Sequence, residues 1–589
     1  MKHKNLIACV RDLMVAGLLR STDDFSAEAV YLDVILVSGD ALVDHPSFGT
    51  AMVARFLEGL GLRVGVIAQP DWRDPGSVRV LGRPRLFFGV SSGNLDSMLH
   101  HYTAARKKRR DDPYSPGGQA GLRPNRAVIV YAGLVRAAYR DVPLVIGGME
   151  ASLRRLAHYD YWEDRVRRSI LVDARADVLI YGNAERALAG LVAALREGRL
   201  IADLALPGTV VIRDEPPRGD CLALPSYEEA AADGRVFAVM TRDMLRELAS
   251  PRPRTMVQAH AGRKLWHLPP AQPLGTPELD ALYALPFTRR PHPMYGEKRI
   301  PALETVRHSI TTHRGCFGGC SFCALAIHQG LIVASRSEDS IVREASALAS
   351  SPDFGGTITD VGGPSANMYG ASCAREPGGR GCSRPSCLYP SICPHLRADA
   401  GASLRLWSRL RRLPGVRHVF VASGIRFDLA NRSPDYIREL VGHHTGGHLK
   451  VAPEHVSDAV LRLMRKPPGS VFLRFLSWFE KFRTPRDYLV PYMMSSHPGC
   501  TDRHMTEAAA FLRERRLAVE QVQDFIPIPG TASAAMYHSG LDPETLDPVF
   551  VEKSDAGKLR QRHALDRRAT VVVREDERGK GRGSGPKKR

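Results

Sequence analysis

The sequence predicts an α/β protein in two parts, a doubly wound parallel sheet followed by a partial TIM-type barrel. Three observations carry this. Short, nearly all-apolar runs alternate with helix-like stretches, as strands buried on both faces do. The alternation occurs twice, once before residue 200 and again after residue 300. Small or polar turn residues follow the strand ends, where an open α/β sheet places its ligand.

In the first series the strand candidates are 32–37, 63–67, 85–90, 127–131, 142–146 and 178–181, with a helix expected over 50–60. The turns after them are Ser38-Gly39-Asp40, Ser91-Ser92-Gly93 and Gly147-Gly148. This gives a Rossmann-like N-terminal domain over 1–200. Prolines crowd the next stretch, from Pro251 to Pro293, so 201–300 reads as a connecting region without its own core. The second series has strand candidates at 305–311, 357–361, 418–422, 448–451, 488–493 and 519–526. Helices are expected over 339–349, 434–441 and 458–464. Six such units over 301–552 make a complete or incomplete parallel barrel, with an insertion at 364–396. The last part, 553–589, holds 13 Lys/Arg against 5 Asp/Glu and reads as a basic, disordered tail.

Composition sets the outer bounds. A chain of 589 residues, 44% hydrophobic and 25% charged, is globular, with two to four domains. Its 82 Lys/Arg against 63 Asp/Glu leave +19, which excludes an acidic disordered chain without proving nucleic-acid binding. No stretch approaches the ~18 apolar residues of a membrane span. The first residues open like a secretion signal, but Arg11 and Asp12 interrupt it. A cytoplasmic protein is expected, with its thiols reduced and open to metals.

Seven of the ten cysteines lie between Cys316 and Cys393. The first group, Cys316, Cys320 and Cys323, has the spacing C-x3-C-x2-C, with Phe322 before the last cysteine. Three thiolates on one loop can hold three irons of a 4Fe-4S cluster and leave the fourth open. Gly315, Gly318 and Gly319 let the backbone fold tightly around it. The competing reading is zinc, with His313 or His328 as fourth ligand, although zinc sites usually show paired C-x2-C units.

This motif at the end of a first barrel strand resembles the radical S-adenosylmethionine (SAM) superfamily. Flanking blocks resemble one branch of it, the YgiQ family of radical SAM proteins. They are Gly39-Asp40 with Asp44-His45-Pro46-Ser47-Phe48-Gly49, the run Gly147 to Arg155, and His158-Tyr159-Asp160-Tyr161-Trp162. His328-Gln329-Gly330 with Ser335-Arg336-Ser337, and Val451-Ala452-Pro453-Glu454-His455, complete the set. The resemblance runs from about residue 30 to about 550. The arginine that often follows His-Gln-Gly in the family is Leu331 here. The resemblance implies a 4Fe-4S cluster, SAM as cosubstrate, a 5′-deoxyadenosyl radical, a reducing partner such as flavodoxin or ferredoxin, and an unknown substrate. It also makes the N-terminal half similar to the cobalamin-binding-type domains that precede many such barrels. Histidine ligation of cobalamin uses D-x-H-x-x-G, whereas Asp44 directly precedes His45, so cobalamin is not expected.

Other site candidates follow from position. Gly362 and Gly363 end the second barrel strand, where the superfamily often meets the SAM amino group, but Pro364 replaces the usual acidic residue. The alternative is a plain turn. Arg426 and Glu454 end later strands and could bind the SAM carboxylate and ribose; the alternative is a surface ion pair. Residues 527–531 could line the adenine. Cys373, Cys382, Cys387 and Cys393, spaced C-x8-C-x4-C-x5-C, could hold a second metal, iron–sulfur or zinc. Basic runs at Arg106–Arg110 and Lys587–Arg589 make RNA one option for the substrate, beside a small molecule, with no membrane role. The rival function is a non-catalytic metal-binding protein that binds nucleic acid through this basic surface.

Overall fold

The computed structural model describes residues 31–565, apart from 216, 218, 377–381, 518, 520 and 521. The signal-like N-terminus and the basic end Lys587–Arg589 lie outside these residues.

Five parallel strands form the heart of a nine-stranded sheet, in spatial order Val64–Ala68, Val34–Ser38, Phe87–Ser91, Leu144–Ile146, Val178–Ile180. This is the 2-1-3-4-5 order of a doubly wound fold, with its switch point between Val34–Ser38 and Phe87–Ser91. Both faces are buried. Ile35, Val37, Phe88 and Val90 pack in one core with Tyr131 and Val135. Val34, Leu36, Val64 and Phe87 pack in another with Leu57, Leu188 and Leu191. That explains why the strands read as apolar runs.

Two expectations are corrected. Residues 127–131 are no strand but the start of the helix Ala127–Ala138. Its buried positions, Ala127, Val128, Tyr131, Ala132 and Val135, recur with helical period, so a β-branched run here serves a helix face. The region 201–300 is more than a connector. Thr209–Arg213, Arg263–His267 and Thr255–His260 extend the same sheet antiparallel, and Cys221–Ala223 closes its edge. The Pro-rich run after His267 carries the helix Thr276–Tyr283, whose Leu279 and Leu282 pack with Met52.

The second half is a sequence-ordered parallel array. Ser309–Thr311 pairs with Asp360–Gly362, and Thr357–Ile358 with His418–Val419. An isolated bridge joins Ile425 to Val451. His448–Glu454, Tyr488–Ser495 and Val522–Asp524 then follow side by side. This is the expected partial barrel. Its core gathers Ile310, Ile358, Val361, Val419 and Leu449 against Trp407 and Phe475. The strand expected over 305–311 starts late, because Pro301 opens the helix Pro301–Val306.

The halves share one face. The helix after the cysteine motif, Ala324–His328, lies on Gly148–Leu153 of the N-terminal half, where His328 Nδ1 meets Ser152 Oγ at 2.9 Å. Residues 553–565, grouped by sequence with the tail, belong to this packing. The helix Asp555–His563 buries Lys558, whose Nζ donates to Tyr161 (2.9 Å) and Tyr537 (2.8 Å).

Candidate functional site

The loop 315–323 leaves the first barrel strand and folds back under tight backbone constraints. Gly315 has φ +85°, and a Cβ there would strike the Ile332 carbonyl. Gly319, at φ +60°, lies against the Pro385 carbonyl in the same way. The family block after the motif braces this loop. Cys316 N–H donates to Gly330 O (3.1 Å), and Gly315 N–H to Gln329 Oε1 (3.0 Å). On the far side Ser321 Oγ donates to Leu463 O (2.6 Å), and Ser533 Oγ to Ser321 Oγ (2.9 Å).

The three thiols share this cradle. Gly318 sits between two of them, since its Cβ would lie 3.3 Å from Cys316 Sγ and 4.0 Å from Cys320 Sγ. Burial, and then the neighbouring Cys320, push Cys323 up to about 12 and Cys316 in the same direction. The thiols therefore crowd one another in a buried place, and a polycationic group would reverse that logic. Among the described residues no group of three or more His, Cys, Asp and Glu side chains is placed to hold a metal ion. Three thiols on one loop are the donor set of a 4Fe-4S cluster with one open iron. Of the two histidines offered for zinc, His313 Nδ1 is bonded to Thr312 Oγ1 (2.8 Å) and His328 to Ser152.

The other predicted residues converge on the same end of the barrel. Arg426 is buried, paired with Asp428 at 2.6 Å, and its Nη1 donates to Cys320 Sγ at 3.4 Å. Glu454 is buried too, with φ +68°, and burial pushes its carboxyl up against the pull of Lys466 and Arg426. The surface-ion-pair alternative is thereby corrected: neither side chain is on the surface, and Arg426 pairs with Asp428. Gly362 and Gly363 leave no room for side chains. A Cβ on Gly362 would lie 2.6 Å from Ser423 Oγ, and one on Gly363 2.7 Å from the His313 ring. His313 itself is buried, with Nε2 unpartnered and its pKa lowered to about 4 by burial. Thr531, in the turn 527–531, caps the helix Ala532–Ser539 and faces the N-terminal half, where Gly530 meets Leu153 O.

Sequence reading gave no role to three contributors. Asn367 grips the backbone of Arg426, accepting its N–H (2.9 Å) and donating to its carbonyl (2.8 Å). Lys466 lies 3.9 Å from Glu454 and donates to Ala452 O (2.5 Å). Arg155 lines a cavity of about 170 Å³ with Tyr181, Glu185, Cys320 and Cys323. Its Nε donates to His267 Nε2 (2.8 Å), and burial lowers its pKa to about 10. Only the family block 147–155 singled this residue out.

The strand ends of the N-terminal sheet tell another story. Arg123, fully buried, fills the switch point, 2.9 Å from Asp40, 3.1 Å from Asp112 and 2.7 Å from Ser92 O. His45 and Asp44 are internal as well. His45 Nδ1 accepts the Ser47 N–H (3.0 Å) and Nε2 meets Arg289 Nη1 (3.0 Å), while Asp44 pairs with Arg55 at 2.6 Å.

Comparison with known proteins follows this geometry. Residues 20–309 match the radical SAM N-terminal family model, and residues 310–512 match the radical SAM superfamily model. A UPF0313 protein of Geobacter sulfurreducens is 52% identical over 540 residues, 91% of this chain and 89% of that one. One from Methanocella arvoryzae is 47% identical, over 89% and 88%. Among solved structures, the radical SAM methyltransferase TsrM from Kitasatospora setae, with tryptophan substrate and a SAM analogue bound, has a TM-score of 0.46 at 14% identity, covering 84% of this chain and 74% of that one. The cobalamin-dependent SAM radical enzyme OxsB, with aqua-cobalamin bound, also has a TM-score of 0.46, at 10% identity, covering 93% and 62%.

Fold, loop and family models define the class: this is a radical SAM enzyme, whose superfamily implies a 4Fe-4S cluster and SAM radical chemistry. Within it the chain belongs to the UPF0313 family, the YgiQ family that the sequence blocks resemble. Nothing supports the rival reading of a non-catalytic nucleic-acid-binding protein. Among the described residues, no helix is long and apolar enough to cross a membrane.

Proposed function

We propose that Cys316, Cys320 and Cys323 hold three irons of a 4Fe-4S cluster whose fourth iron takes SAM. When bound, that cluster supplies the electron that cleaves SAM reductively, giving a 5′-deoxyadenosyl radical that abstracts hydrogen from the substrate. The chain's own residues bind, orient and exclude water. Arg426 sits beside Cys320 with one guanidinium edge fixed by Asp428, so it stabilises thiolate charge and presents a cation to the SAM carboxylate. Gly362 and Gly363, where no side chain fits, present bare backbone at the strand end to the SAM amino group. Glu454, held by Lys466, offers a carboxylate to the ribose. The observation that carries the reading is the meeting of Cys320, Arg426 and Glu454 at one buried end of the barrel.

The reductant is expected to be a small one-electron carrier of flavodoxin or ferredoxin type. For the substrate, RNA and a small molecule both remain in play. The basic run Arg106–Arg110 is exposed, as phosphate contact would need. The expectation against cobalamin rests on the D-x-H-x-x-G spacing alone, and no structural finding supports it.

The test is anaerobic. Iron, sulfide and the EPR spectrum of the dithionite-reduced protein are measured with and without SAM, with 5′-deoxyadenosine assayed by mass spectrometry. A SAM-induced change of the signal, with 5′-deoxyadenosine formed, and both lost in Cys316→Ala/Cys320→Ala/Cys323→Ala, supports the reading. A zinc-loaded wild type indifferent to SAM refutes it.

A further inference from the structure

The Cys-rich insertion packs a small apolar cluster, Leu388, Cys393 and Leu396 with Phe317 and Leu429. Its neck is one short antiparallel pair, Ser372–Cys373 with Leu396–Arg397. None of Cys373, Cys382, Cys387 and Cys393 forms a disulfide. All four instead line one cavity of about 70 Å³, whose walls include Phe317 and Arg384. Backbone bonds set two of them there: Cys393 N–H donates to Cys387 O (2.8 Å), and Leu396 N–H to Cys393 O (3.0 Å). Four converging thiols around a void, with no bond among them, are an unfinished arrangement.

The size of the void decides what completes it. One water-sized site needs roughly 10–15 Å³ of such volume. The cavity, at about 70 Å³, takes a group of several atoms. A single zinc would draw the four thiolates to about 3.8 Å of one another and is smaller than this space. The insertion is also fastened to the first loop. Cys387 N–H donates to Phe317 O (3.0 Å), Ser386 Oγ donates to Gly318 O (2.7 Å), and Phe317 packs with Leu388 and Cys393.

We propose that Cys373, Cys382, Cys387 and Cys393 bind a second iron–sulfur cluster, fully ligated by protein and walled on one side by Phe317 of the Cys316–Cys323 loop. Four cysteines leave no iron open, so this centre does not take SAM. It locks the insertion over the loop, as structural metal sites fold the segments around them.

The experiment removes the first cluster and counts what remains. In the Cys316→Ala/Cys320→Ala/Cys323→Ala protein, purified and reconstituted anaerobically, about four irons and four sulfides per chain are expected. Their Mössbauer spectrum should be that of a 4Fe-4S cluster, unchanged by SAM. Adding the milder Cys382→Ser should cut the iron to three or fewer per chain. Circular dichroism checks that each variant remains folded. A folded triple variant without iron, or with one zinc per chain, overturns the proposal. Because the readout is taken without the first cluster, a failed radical SAM assignment does not decide it.

Discussion

Two places in this molecule sit at the carboxyl ends of parallel strands, and they are built in opposite ways. At the switch point of the N-terminal sheet, Arg123 is wholly buried between Asp40 and Asp112, and the crevice is closed by the protein's own charges. A Cβ on Gly39 would strike Ser92 O there. At the end of the first barrel strand three thiols crowd together, with Arg426 the cation bonded to one of them. The first place pairs its buried charges within the protein. The second gathers thiols beside one cation, and it is there that we propose the added centre. Position in an α/β fold thus marks where a ligand can go, and the local accounting of charge separates a site from a plug.

The sharpest way to break this contrast is Cys320→Ala. It should abolish SAM cleavage, a loss of at least about 1,000-fold in 5′-deoxyadenosine formation, as expected when a positioned catalytic centre is removed. Thermal stability should change little if the loop is held by its backbone bonds. Arg123→Met should do the reverse. Removing one partner of a buried ionic group costs about 3–5 kcal/mol, because the remaining charges lose their compensation. Denaturant unfolding should show that loss, while iron content and the SAM-induced EPR change persist. If Arg123→Met instead abolishes SAM-dependent activity in folded protein, the switch point is part of the site and the contrast fails.

Much of this contrast was legible in sequence, and the failures have physical causes. The motif cysteines, the barrel strands and the first sheet were visible because spacing and apolar runs are local signals. The strand expected at 127–131 was wrong because Val128, Val130 and Tyr131 suit either period over five residues, and only the continuation to Ala138 reveals a helix. The antiparallel strands between Thr209 and His267 were hidden by half-exposed residues and surrounding prolines. Arg123 and Asn367 were not legible at all. Asn367 works through a partner 59 residues away, and Arg123 through Ser92 and Asp112, 31 and 11 residues away, and through Asp40, and no periodicity marks that.

A pH experiment sharpens the architectural side. Burial raises the Asp40 pKa to about 6 from 3.8, despite Arg123 and the Asn94 N–H. The raised folded-state value means that native Asp40 holds its proton longer than the unfolded chain does. No contribution arises below about pH 4. A penalty then grows up to about pH 6 and stays constant above it, at most about 3 kcal/mol for two pKa units. The melting temperature of Asp40→Asn relative to wild type should therefore rise between pH 4 and pH 6.5 and level off. A difference that is flat across this window would place the Asp40 pKa at its ordinary value.

The smallest expected effect tests how the chemical side is held. Asn367 makes no contact with a thiol; it grips the N–H and carbonyl of Arg426 while Asp428 fixes the guanidinium. It is a positioning residue. Asn367→Ala removes two hydrogen bonds worth about 1 kcal/mol each in net terms. Part of that appears as lost stability. The rest should appear as a roughly 5-fold rise in KM for SAM, about 1 kcal/mol, with kcat for 5′-deoxyadenosine formation nearly unchanged. The reduced cluster's EPR signal without SAM should stay as in wild type, and its SAM-bound form should broaden as Arg426 takes up more than one position. A KM that does not move would mean that Asp428 alone orders Arg426, and that the pairing across the second and third barrel strands serves only the fold.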